Sequence, residues 1–164
     1  MGLDMYLTKK LYLGCMQYDK KFSAEINIEY ENKKIPIDVT QINGITLEAG
    51  YWRKANQIHK WFVDNVQDGV DDCGEYYVAY DKLKELLSAC KEVIAVKGIR
   101  DKEKQEKVCR EVLPTQTGFF FGSYEYDEWY FDQVQNTIDI LQKIDFEELK
   151  ESKIPISFYY SSSW

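Results

Sequence analysis

The two ends of this chain carry the same signature, and it limits the fold more than any other feature. Leu3, Met5 and Leu7 alternate with Gly2, Asp4, Tyr6 and Thr8, and Leu11 and Leu13 resume the pattern after Lys9-Lys10. Apolar residues at every second position give an extended strand with one face in a core. At the other end, Ile154-Pro155-Ile156-Ser157-Phe158-Tyr159-Tyr160 reads as a strand that joins the N-terminal sheet. A second alternating run, Phe22, Ala24, Ile26, Ile28 and Tyr30, and a third, Ile35, Ile37 and Val39, flank the polar turn Glu31–Lys34 and make a hairpin. Pro36 lacks a donor and suits an edge strand.

Between these strands the period becomes helical. From about Glu48, the residues Tyr51, Ala55, Ile58, Phe62 and Val66 form a stripe at i+3 and i+4, closed by Asp68-Gly69. Val78, Leu83, Leu86, Leu87, Cys90, Val93 and Ile94 mark a second helix, with Asp81 as a candidate N-cap and Lys97-Gly98 as its end. The charged segment to Arg110 is a further surface helix. Leu113–Gly118 is a loop by composition, and Phe119-Phe120-Phe121-Gly122 a short buried strand. Tyr126, Tyr130, Val134, Ile138 and Leu141 give a long amphipathic helix whose start, near Asp127 and Glu128, favours negative charge. The expectation is an α+β fold: an antiparallel sheet of N-terminal strands plus the C-terminal strand, packed by roughly three to four helices. At 164 residues, with no repeat or low-complexity linker, 1–164 reads as a single domain.

Charge narrows the partners. The formal net charge of -7 repels phosphate backbones, so nucleic acid is not an expected partner. No run approaches the roughly 20 apolar residues that span a bilayer, and no basic n-region precedes Met5 and Tyr6, so neither a membrane nor a secretory signal is expected. Cys15, Cys73, Cys90 and Cys109 lack C-x-x-C spacing, and His59 is the lone histidine. These read as reduced thiols in a cytoplasmic protein, with no metal and no cofactor.

Two stretches could hold a ligand. On a helix running from Glu48, Arg53 and Lys60 share a polar stripe with Trp52, Asn56 and His59 on its flank. A cation for phosphate, an amide for a base edge and an indole for stacking suit a small anionic, nucleotide-like molecule. Solvated cations beside a core-margin tryptophan explain the same residues. The second stretch is Thr115-Gln116-Thr117-Gly118 with Phe119, where loop amides and hydroxyls lead toward a helix start after Ser123. An ordinary turn with a Ser123 cap is the favoured reading of it. Walker, dinucleotide and G-x-S-x-G patterns are absent, and one histidine cannot run two-histidine chemistry. Glu125, Asp127 and Glu128 are carboxylates that could do acid–base work, or simply neutralise a helix start.

Three stretches, Met1–Leu7, Tyr51-Trp52-Arg53-Lys54-Ala55-Asn56-Gln57-Ile58-His59-Lys60-Trp61-Phe62 and Leu113–Ser123, together resemble a family of small bacteriophage and prophage proteins. The resemblance spans most of the chain and implies a setting, host takeover or counter-defence in a bacterial cytoplasm, without assigning functional residues. Three functions follow as expectations. One is a non-catalytic binder that sequesters a nucleotide-derived signal through the residues named above. The others are an acidic inhibitor of a basic host protein, with tyrosine and tryptophan as anchors, and a nucleotide hydrolase. The aromatic tail Phe158-Tyr159-Tyr160…Trp164 adds homo-oligomerisation as an expectation.

Overall fold

Both ends of the chain meet in one sheet. The computed structural model describes residues 2–13, 26–38, 42–118, 120–151 and 155–164. β1 (Asp4–Tyr12) lies at the centre, antiparallel to β4 (Gly44–Arg53) on one side and to β6 (Ile156–Ser163) on the other. β5 (Tyr76–Val78) closes the far edge against β6, giving the order β4-β1-β6-β5. β2 (Ile28–Tyr30) and β3 (Lys33–Ile35) form a separate hairpin whose turn places Glu31 and Asn32 at positive φ. The expected hairpin is therefore present but shorter, and its outer residues Phe22, Ala24 and Val39 lie outside the described residues.

Four helices of ten or more residues and one short helix complete the described chain: α1 (Asn56–Asn65), α2 (Tyr80–Ala95), α3 (Lys102–Val112), α4 (Glu128–Leu141) and α5 (Phe146–Glu151). The α+β expectation holds. One sheet face, built from Met5, Leu7, Trp52, Val78, Phe158 and Tyr160, is buried in a core with Ile58 and Phe62 of α1, Leu83, Leu86 and Val93 of α2, and Val134, Ile138 and Leu141 of α4. Stacking of Phe62 on Tyr160, centroids 3.9 Å apart, fixes α1 to β6.

Local chemistry sets the ends. Asp101 and Asp127 cap α3 and α4, each accepting a hydrogen bond from the backbone N–H three residues on. Ala79, not Asp81, is the N-cap of α2, and Asp81 sits in its first turn. Val78, expected in that helix, belongs to β5. Phe121 is buried without being in a strand, and Phe120 is exposed at φ 67°. The largest departure is β4, where residues 48–53 continue a strand and the helix starts only at Asn56. Lys54, at φ 57°, makes the junction, and its N–H bonds Leu3 O at 2.8 Å. Gly122 abuts that junction: a Cβ there would stand 2.9 Å from Lys54 O.

Candidate functional site

Because β4 is a strand, Trp52 and Arg53 point to opposite sides of the sheet rather than along one helix. Trp52 faces the core, 1% exposed, its Nε1 donating to Thr137 Oγ1 at 2.9 Å. In this position its ring offers no stacking face to a ligand. Arg53 faces outward, its side chain 61% exposed and its Nε 3.8 Å from Asp4 Oδ1. Lys60 pairs with Asp64 one turn along α1 at 2.8 Å. The expected cation–indole cluster is thus divided among core, outer sheet face and helix surface.

Two of the expected residues have another role. Asn56, 1% exposed, donates to Phe121 O at 3.2 Å and Ser123 O at 2.8 Å, and its Oδ1 accepts from Gln116 N at 3.1 Å. It brings the first helix and the 115–118 loop together as a clamp with its polar atoms already engaged. Thr115 Oγ1 donates to Tyr124 O at 3.1 Å, and Thr117 is exposed. The side-chain oxygen of Gln116 is buried without a partner among the described residues. Phe119 lies outside the described residues. The long helix starts at Glu128 rather than after Ser123, and its N-terminus is already capped by the Asp127 carboxylate. Glu128 itself pairs with Lys97 at 2.7 Å, so these carboxylates serve a helix start.

His59 is fully buried. Its Nε2 lies 3.0 Å from Asp71 Oδ2 and its Nδ1 2.7 Å from Tyr160 Oη, while Trp164 Nε1 donates to Asp71 Oδ1 at 3.1 Å. A carboxylate only accepts, so Nε2 carries a proton, and in the neutral imidazole the Tyr160 hydroxyl donates to Nδ1. Burial pushes the Tyr160 phenol well above its ordinary range. An acid–histidine–phenol relay has the composition of a catalytic triad, but here its histidine and tyrosine are 0% exposed. It ties α1, the loop before β5 and the C-terminal strand together.

Comparison with protein families, with curated proteins and with solved structures finds no match to this chain. Among the described residues, no three His, Cys, Asp or Glu side chains gather to hold a metal ion, and Cys73, Cys90 and Cys109 are free thiols. No helix there is long and apolar enough to cross a membrane.

The sheet's outer face is the remaining organised surface. Asp4, Tyr6, Thr8, Lys10 and Tyr12 of β1 face out, beside Tyr51 and Arg53 of β4, Ser157, Tyr159 and Ser161 of β6, and Tyr77 of β5. Tyr6, Tyr12, Tyr51 and Tyr77 are 36%, 42%, 39% and 57% exposed. The rings are ordered in two groups. Tyr6 packs on Tyr51, whose hydroxyl donates to Asp4, and that hydrogen bond raises the Tyr51 pKa. Tyr12 and Tyr159 join hydroxyls at 2.8 Å, Tyr77 meets Tyr159 edge-on, and Lys10, paired with Glu75, lies 4.4 Å over the Tyr159 ring. The signal was present in the sequence as the non-core phase of the alternating strands, where tyrosine takes positions usually given to charged or small polar residues.

Proposed function

We propose that this chain is a non-catalytic binding protein that docks on a basic protein through the outer face of its sheet. The observation that supports it is the ordered tyrosine array: rigid amphipathic rings, flanked by serine and threonine hydroxyls, on the sheet face opposite the core. Tyrosine gives large contact area at small entropic cost, and neighbouring hydroxyls supply adaptable hydrogen bonds. The net charge of -7 favours a basic partner and speeds encounter with it. The resemblance to phage proteins suggests a host protein as target, with inhibition as the outcome and the bacterial cytoplasm as the place. Sequestration of a nucleotide-derived signal through Trp52, Arg53 and Lys60 has less support, because the indole is buried and both cations lean on carboxylates in solvent.

The test is capture of a stoichiometric partner by the tagged chain, repeated with Tyr6→Ala combined with Tyr77→Ala. Truncating two anchors at the centre of an interface costs about 2 kcal/mol each, so roughly a thousandfold in affinity. Thermal unfolding of the variant should stay close to the parent, since both rings are partly exposed. Added salt should slow association. A partner held equally well by the double variant would sink the proposal.

A further inference from the structure

The inner phase of β1 runs Leu3, Met5, Leu7 and then Lys9, which stands opposite Leu47 on β4 and Phe158 on β6. One residue earlier in that pairing, β4 carries an extra residue, Ala49, between the partners of Leu7 and Thr8. Beside this bulge and the residues that follow α4, a recess of about 360 Å³ opens on the helix side of the sheet. Leu47, Ile144 and Phe158 line it with apolar surface, and Lys9 and Lys143 supply two ammonium groups. Its volume falls within the range of small-molecule sites, about 300–1,000 Å³.

Lys9 needs an explanation. A leucine or valine at that position would complete the buried face, whereas an ammonium drawn toward apolar walls loses hydration. Its neighbour Lys10, on the outer face, pairs with Glu75 and covers the Tyr159 ring. Lys9 is half-buried, yet among the described residues neither its ammonium nor that of Lys143 makes an ion pair or a side-chain hydrogen bond. Asp145 also borders the recess, so a second negative charge on a guest would be repelled.

We propose that this recess binds an organic monoanion with a compact apolar body, its anionic group on Lys9 and Lys143 and its body against Leu47, Ile144 and Phe158. The site is separate from the outer sheet face, and either proposal can fail without the other.

The experiment titrates the full chain with 8-anilinonaphthalene-1-sulfonate, an aromatic monoanion, and follows its fluorescence. Saturable one-site binding is expected. Lys9→Met keeps the stem and removes the charge, and should weaken binding about tenfold to a hundredfold, with Lys9→Glu abolishing it. Without ligand, Lys9→Met should melt at the same temperature as the parent or higher, because a poorly solvated charge has gone. Competition by decanoate would assign aliphatic carboxylates as the guest, and resistance to it aromatic anions; either upholds the site. Non-saturable binding, binding indifferent to Lys9→Glu, or a clear loss of stability in Lys9→Met would overturn it, the last by showing that the lysine stem is there to pack.

Discussion

Asn56 shows how one side chain can be taken for a ligand group and turn out to hold the fold. Its amide bridges two carbonyls and one N–H from residues 116–118 and 120–123, which have no helix or strand of their own. Asn56→Asp keeps the size and the acceptor toward Gln116 but loses both donations and sets a carboxylate against two carbonyl oxygens. The expected loss is roughly 3 kcal/mol, since each buried acceptor left unpaired costs about 1–3 kcal/mol. Urea unfolding measures it, and limited proteolysis should show new cleavage between Pro114 and Tyr124. A change under about 0.5 kcal/mol would mean that water replaces the amide freely and the clamp is incidental. His59 belongs to the same scale: as the only histidine it drew functional suspicion, and its partners Asp71 and Tyr160 lie 12 and 101 residues away, beyond what sequence spacing can pair.

Elements were legible where a single periodicity ran unopposed. β1, β6, α2 and α4 match the alternating or helical patterns because each buries one clean face, and Asp127 stands at a true helix start. Residues 48–55 misled because Tyr51, Ala55, Ile58 and Phe62 happen to keep helical spacing across a strand, a left-handed Lys54 and a helix. Tertiary pairing with β1 decides the matter there, since nine residues of β4 align with β1 along its length. The candidate site inherited that error: once Trp52 lies on a strand, the spatial cluster built from it dissolves. The same strand yields a test. Gly50 lets α4 approach β4, and a Cβ at that position would stand 2.6 Å from Ile140 Cγ2 and 3.3 Å from Trp52 Cη2. Because a branched methyl cannot swing away cheaply, Gly50→Ala should cost about 1–3 kcal/mol by overpacking. The near-ultraviolet dichroism of Trp52 should change with it. A neutral Gly50→Ala would show that α4 shifts without resistance.

At the scale of the whole molecule, the core is stapled by buried phenols and thiols, and this fixes how the protein responds to alkali. Burial raises the Tyr160 and Tyr130 phenols and the Cys90 thiol far above their ordinary values. Tyr130, 2% exposed, donates to Leu113 O at 2.9 Å, and Tyr160 to His59, so ionisation would break a hydrogen bond as well as bury a charge. A folded-state pKa raised above the unfolded one contributes stability that is whole below the unfolded value and is lost as pH rises toward the folded value. Stability should therefore hold to about pH 8, begin to fall near the thiol value of about 8.5, and fall faster past the phenol value of about 10. Each such group contributes a slope of about 1.4 kcal/mol per pH unit, so two phenols give roughly 2.7 kcal/mol per unit, enough to unfold a domain of ordinary stability within a few units. Denaturant melts from pH 7 to 12 check this, with phenolate absorbance followed in parallel. Tyr160→Phe should lower the slope above pH 10 by about 1.4 kcal/mol per unit, a third of what the two phenols and the Cys90 thiol give together, while lowering stability at pH 7, where His59 Nδ1 loses its donor. A parent whose tyrosines all titrate near 10 while it remains folded would mean that water reaches these phenols, and that the core is far looser than its geometry requires.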